Sequence, residues 1–149
     1  MNWTVYLSGE IHTDWRDQII GGAKEKKLPI TFLSPVTDHE SSDNCGVEIL
    51  GNEENPFWKD HKGAKLNAIA TRTRISRSDV IVVRFGEKYR QWNAAFEAGF
   101  AAALGKSVIV LHEPSLTHSL KEVDAAALAV AESPSQVIRL LEYTVNGIL

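Results

Sequence analysis

The run Asp79-Val-Ile-Val-Val-Arg-Phe85 constrains the fold more than any other part of this chain. It is almost continuously β-branched, with no polar alternation that would give it one wet face. A strand of this kind is buried on both sides, which places it in the middle of a parallel sheet. Ser107-Val-Ile-Val-Leu111 repeats the pattern after one helical interval. Together the two runs predict a β-α-β unit with a right-handed crossover.

The same alternation extends in both directions. Val5–Ser8 reads as a short strand ending at Gly9, and Asp14 to about Lys27 as an amphipathic helix weakened by Gly21-Gly22. Ile30–Leu33 is a second strand, closed by Ser34-Pro35. Residues 36–59 are polar and weakly periodic, and are expected to form a long loop of functional character. A helix over roughly 62–77 leads into the Asp79 strand. After Leu111 come a short helix near Ser119–Ala126, a weak strand at Leu128–Ala131 and a last helix capped by Ser133 with Pro134 at its first position. The expected fold class is α/β, a three-layer sandwich with a flavodoxin-like, Rossmann-like sheet of five parallel strands flanked by helices. With 149 residues, 44% hydrophobic and 23% charged, it should form one domain over 1–149 with a full core.

Composition excludes several function classes. The formal charge of −3 offers no electrostatic footprint for a nucleic acid polymer or an anionic membrane. Arg72, Arg74 and Arg77 read as the solvated face of a helix. No apolar run approaches the roughly 20 residues that span a bilayer, and no signal peptide is expected. One cysteine, Cys45, cannot form an internal disulfide, which suits a reducing cytoplasm. There is no zinc spacing and no phosphate-cradling Walker loop, and His112, Glu113 and His118 lack metal-ligand spacing; no metal or cofactor is expected.

In folds of this kind, ligands sit beyond the carboxyl ends of the strands. Those ends carry Ser8-Gly9-Glu10-Ile11-His12, the 36–59 segment with His39, Asp43 and Asn44, and Gly86-Glu87-Lys88-Tyr89-Arg90-Gln91-Trp92-Asn93. Tyr89 and Trp92 suit stacking on a planar base, with the amides of Gln91 and Asn93 matching base or sugar edges. Trp15 and Arg16 have two readings of equal weight: a helix staple with a surface charge, or groups facing an anionic or hydroxyl-rich ligand.

Just behind the third segment lies Gln91 to Lys106, read as a helix capped by Asn93 and closed by Gly105. Its only charge before Lys106 is Glu97, near the start, among small and apolar neighbours that imply packing on most sides. An acid in a first helical turn is favoured by the dipole. A buried lone carboxylate, however, is costly unless something binds or uses it. Glu97 is therefore either a helix-start acid or a nucleophile, and burial favours the second. Tyr6 alone reads as packing. If the first strand neighbours the third, its hydroxyl comes within reach of Glu97.

The segments Val5-Tyr-Leu-Ser-Gly9, Ser78-Asp-Val-Ile-Val-Val83, Glu97-Ala-Gly-Phe-Ala101 and Gly105-Lys106 resemble the nucleoside 2-deoxyribosyltransferase superfamily. Gly9-Glu-Ile-His-Thr-Asp-Trp-Arg16 and Phe85-Gly-Glu-Lys-Tyr-Arg-Gln-Trp-Asn93 resemble more narrowly its YtoQ branch. The resemblance implies a nucleophilic Glu97 oriented by Tyr6, attacking C1′ of a nucleoside or nucleotide to leave a covalent deoxyribosyl ester that a second base or water releases. It also implies a homodimer or larger homo-oligomer. The chain departs from the superfamily at Thr71 and Gln91, where acids are usual, and at Trp92-Asn93-Ala94, which replaces a Gly-Thr turn. Retention of Tyr6 and Glu97 favours an enzyme; loss of the two acids favours a nucleotide-binding module without turnover.

Overall fold

The computed structural model describes residues 1–148. Five strands form one parallel sheet: β1 (Trp3–Gly9), β2 (Ile30–Leu33), β3 (Val80–Arg84), β4 (Ser107–Leu111) and β5 (Ala129–Ala131). Their order is β2-β1-β3-β4-β5, the flavodoxin-like arrangement, with the direction of winding reversing between β1 and β3. Tyr6 pairs with Ile81 and Ser8 with Val83, so the first strand does neighbour the third. β3 is buried from Val80 through Val83, as a central strand should be.

Side-chain alternation divides the core into two. Val5, Leu7, Val80, Val82, Ile109 and Leu111 face helices α1 (Trp15–Glu25) and α6 (Pro134–Asn146). Tyr6, Ile81, Val83, Val108 and Val110 face the opposite layer. That layer contains α3 (Pro56–Arg77), α4 (Trp92–Ala103) and α5 (Lys121–Ala126).

The structure corrects several expectations. Residues 36–59 are not a loop: α2 (His39–Leu50) starts at Asp38, whose carboxylate accepts from the Ser41 N–H, and α3 starts at Asn55-Pro56. Helix α2 shows little apolar periodicity because it packs on α3 through a glycine contact, not a hydrophobic stripe. A Cβ at Gly46 would stand 2.5 Å from the Gly63 nitrogen. Helix α1 ends at Glu25, since Lys27 takes a positive φ of 54°. Helix α4 begins at Trp92 with Gln91 as its cap, so Asn93 lies inside the helix and caps nothing. Gly105 is the left-handed closing residue, as expected, at φ 69°.

Glu97 accordingly lies in the second turn of α4, beyond most of the dipole's benefit. Nor is α4 packed on most sides. Ala94, Ala98 and Ala101 are buried, whereas Trp92, Phe96 and Leu104 are 70%, 62% and 47% exposed.

The α2–α3 contact is backbone against backbone and cannot relax by moving a side chain. Gly46→Ala should therefore destabilise the protein by about 1–3 kcal/mol, the usual cost of overpacking. A lower urea midpoint, read by circular dichroism, checks this.

Candidate active site at the carboxyl edge of the sheet

The end of β1 is built by its own backbone carbonyls. Arg16, buried, donates from Nε to the Leu7 carbonyl at 3.1 Å, and from its two terminal nitrogens to Glu10 at 2.6 Å and Gly9 at 3.0 Å. Trp15 Nε1 donates to the same Glu10 carbonyl at 2.8 Å, and its ring carries the Arg16 guanidinium at 4.5 Å. The hydrogen bonds made by Trp15 and Arg16 thus go to main chain. Gly9 has φ 104°, and a Cβ there would lie 2.1 Å from the Arg84 carbonyl oxygen. Only glycine lets β1 and β3 close together at this height.

Beyond Gly9 the chain turns on Glu10. Its carboxylate is buried and accepts from the His12 N–H and the Thr13 hydroxyl. This turn holds the His12 ring between two others, with Tyr89 at 4.5 Å and His39, the first residue of α2, at 5.3 Å. Three loops after β1, β2 and β3 meet in this stack. His39 is the member to which loop polarity alone gave little weight. Gln91 Oε1 accepts from the Gly86 N–H at 3.1 Å and folds the β3–α4 loop on itself. Trp92 and Asn93 are exposed at the start of α4, with the Arg90 guanidinium 5.7 Å from the Trp92 ring, and Asp43 is exposed on α2. Glu10, His12 and Gly86 also line a cleft of about 600 Å³ beside the β4 loop. His112, buried, bonds Asp124 of α5 at 3.1 Å and the Glu113 carbonyl at 2.7 Å. Among the described residues, no group of three His, Cys, Asp or Glu side chains gathers for a metal.

Glu97 projects from α4 toward β1, where Ser8 Oγ donates to its Oε2 at 2.5 Å. Ser8 is fully buried and two residues from Tyr6, hence on the same face of the strand. That spacing was the available signal for a residue the sequence reading did not single out. Tyr6, also fully buried, lies beside Glu97 and Thr71 but closes a hydrogen bond with neither in this structure. Burial, followed by the neighbouring Glu97 charge, pushes the phenol far above its ordinary range, with Thr71 and two arginines opposing. Tyr6 is therefore a donor at any working pH. Burial also raises the Glu97 carboxyl, against the lowering effects of Ser8, Tyr6 and Arg16.

The stability consequence has a definite sign. A carboxyl raised in the folded state stabilises the fold fully below its unfolded value and loses that contribution as pH rises through the folded value. Glu97→Gln should raise the melting temperature at neutral pH by about 2–4 °C, the scale of a 1 kcal/mol change in a domain this size. The difference should vanish in acid. Melting curves of both proteins across pH 3 to 8 measure it (about the span over which carboxyls titrate).

The model of the family described as nucleoside 2-deoxyribosyltransferase YtoQ matches residues 6–145. The chain is 43% identical over 143 residues to the protein YtoQ of Bacillus subtilis (strain 168), covering 96% of this chain and 97% of that one. Among solved structures it resembles a conserved protein from Enterococcus faecalis V583, with TM-score 0.65 and 14% identity over 97% of this chain and 99% of the other. It also resembles a 2-deoxyribosyltransferase from Bacillus psychrosaccharolyticus, with TM-score 0.54 and 18% identity over 91% and 90%. A de novo designed Rossmann 2x3 protein is similar at TM-score 0.53 and 13% identity, over 99% and 91%. At such identities the solved structures speak for the fold alone. The family match spans Tyr6, Ser8 and Glu97, and on it the chain belongs to the nucleoside 2-deoxyribosyltransferase YtoQ family.

Proposed function

We propose that the protein cleaves or exchanges the N-glycosidic bond of a small nucleoside or nucleotide, with Glu97 as nucleophile. One observation carries the reading: a largely buried carboxylate on α4 is held by Ser8 beside the protonated phenol of Tyr6, at the edge where this fold binds ligands. A glutamate there without a task would be a net cost to the fold.

A Glu97 oxygen attacks C1′ as the C1′–N bond breaks, and the electron pair of that bond leaves with the base. The base nitrogen takes its proton from His12. A glycosyl ester on Glu97 remains. Water or a second base then attacks C1′, gives its proton to His12 and frees the carboxylate, with overall retention. The double displacement needs no cofactor. His12 is assigned this proton as the ring at the centre of the loop stack, beside groups that are occupied or lack an acidic proton. The Glu10 carboxylate holds the His12 turn, the Gln91 oxygen accepts from Gly86, and Thr71 has no acidic proton. Tyr89 and His39 flank the His12 ring with flat surfaces suited to the base.

A non-catalytic nucleotide-binding module is the second reading, favoured by Thr71 and Gln91. Intact mass after incubation with a 2′-deoxy-2′-fluoro-arabinosyl nucleoside separates the two. The enzyme gives a sugar adduct that Glu97→Ala lacks; absence of both adduct and free base over a panel of nucleosides and monophosphates leaves the binder. The pH–rate profile should fall in acid at a value above the ordinary glutamate range, because Glu97 must be ionised and its carboxyl is raised. His12→Gln should lower kcat by about 10²–10⁴-fold, while sparing a substrate whose leaving group needs no proton.

The assembly is proposed to be a homo-oligomer. The exposed Trp92 and Phe96 on α4 and Leu104 at its C-terminal cap, with Ile69 on α3, offer apolar surface, and aromatic side chains bury about 150–250 Å² each. A reducing cytoplasm suits its single free thiol, Cys45. Phe96→Glu should shift the molar mass measured by light scattering toward 16.5 kDa, that of one chain. A wild-type protein that is itself monomeric refutes the assembly.

A further inference from the structure

Helix α3 is roughly 33 Å long, and only its last turns cover the sheet, where Ile75 is buried and Thr71 lies beside Tyr6. The first half rests on α2, through Gly46 on Gly63 and the Asn67 amide on Ser42. The face turned away from both is uncovered. One line along it holds Glu54, just ahead of the helix, then Trp58, His61, Lys65, Ile69 and Arg72, all exposed and three or four residues apart. Trp58 and Ile69 are 51% and 66% exposed, and the Phe57 and His61 rings fix the Trp58 ring from two sides at 4.9 and 5.5 Å.

The charges along this hairpin are sorted by end. Glu48 to Asp60 contains four carboxylates and one lysine, whereas His61 to Arg77 contains five cations and no carboxylate. Arg74 and Arg77 complement the helix's own C-terminus. Among the described residues, Glu54, Lys65 and Arg72 form no ion pair. A polyanion drawn to the cations would meet the acids of the tip. A second copy lying antiparallel meets each charge with its opposite.

We propose that α3 is the two-fold seam of a homodimer, packed antiparallel against α3 of a second copy; the proposal rests on the homo-oligomeric reading given above. The line is complementary to its own reverse, as an isologous contact requires. Glu54 meets the partner's Arg72, Trp58 packs on the partner's Ile69, and the His61 ring covers the stem of the partner's Lys65. Each of these contacts occurs twice. The seam is continuous with the apolar surface of α4, because the Arg72 guanidinium lies 6.0 Å from the Phe100 ring and Phe100 stacks beside the exposed Phe96.

A charge exchange tests the seam, with molar mass followed by light scattering over a dilution series for wild type, Glu54→Arg, Arg72→Glu and the double variant. Within one chain the two positions are about 25 Å apart, so they cannot repair each other there. Wild type should be at least dimeric. Each single reversal should raise the dissociation constant about tenfold, since the two-fold axis repeats the pair, and the double variant should return to within about twofold of wild type. Both side chains are exposed, so circular dichroism should show four equally folded proteins. A dimer that neither reversal weakens, or a double variant weaker than both singles, overturns the α3 seam and leaves assembly to α4. A wild type that is monomeric throughout overturns the seam together with the assembly on which it rests.

Discussion

The clamp of Arg16 on the end of β1 is the interaction on which the rest of the edge depends. Parallel strands stop with carbonyls pointing toward the ligand side, and at a buried edge each needs a donor. A single guanidinium supplies three of them, at Leu7, Gly9 and Glu10, and Trp15 adds a second bond to the last. Because both residues open α1, the helix is fixed to the strand it follows with only a short turn between. That turn places Ser8 beneath Glu97 on one side and Glu10 against Gly86 on the other. Lysine at position 16 would keep the charge but not the planar fork that spans three carbonyls.

Above that platform, stability and chemistry pull against each other at one residue. Glu97 is buried enough for its ionised form to be penalised, and Ser8, Tyr6 and Arg16 only partly offset the penalty. The imbalance is what the proposed nucleophile requires. A carboxylate solvated by water or locked by an ion pair attacks poorly; one that is desolvated but kept ionised by a few donors is poised. Placement in the second turn of α4 reinforces this, because the dipole that would hold an acid at the first turn has faded there. The same geometry accounts for the tyrosine. A phenol raised by burial stays a donor, so it can follow charge on the carboxylate without competing for the proton.

The sheet was legible in the sequence because burial on both faces removes ambiguity. Asp79–Phe85 and Ser107–Leu111 have no polar alternation, and their partners followed from spacing and punctuation. Gly105, Ser133 and Pro134 also marked helix ends through backbone requirements that are local. Helix α2 was not legible, since its contact with α3 is made by Gly46 and Gly63, and a close backbone crossing leaves no hydrophobic period to read. Asn93 misled for a related reason: the β3–α4 turn is folded by the Gln91 amide on Gly86, a contact between side chain and backbone that no propensity encodes. At the site, Glu97 stood out by composition alone. Ser8 did not, although its phase with Tyr6 on β1 was available.

The two departures at the expected acids make joint sense once their neighbours are considered. An aspartate at position 71 would sit beside Tyr6 and, through it, beside Glu97, adding like charge to a carboxyl that burial already raises. Threonine keeps a hydroxyl there without that repulsion. At position 91 a neutral amide oxygen accepts from the Gly86 N–H, closing the loop that carries Tyr89 over His12. An edge stripped of these two acids leaves proton transfer in the proposed reaction to the histidines of the loops. On the proposed reading, such a division gives the attack and the proton transfer to different residues.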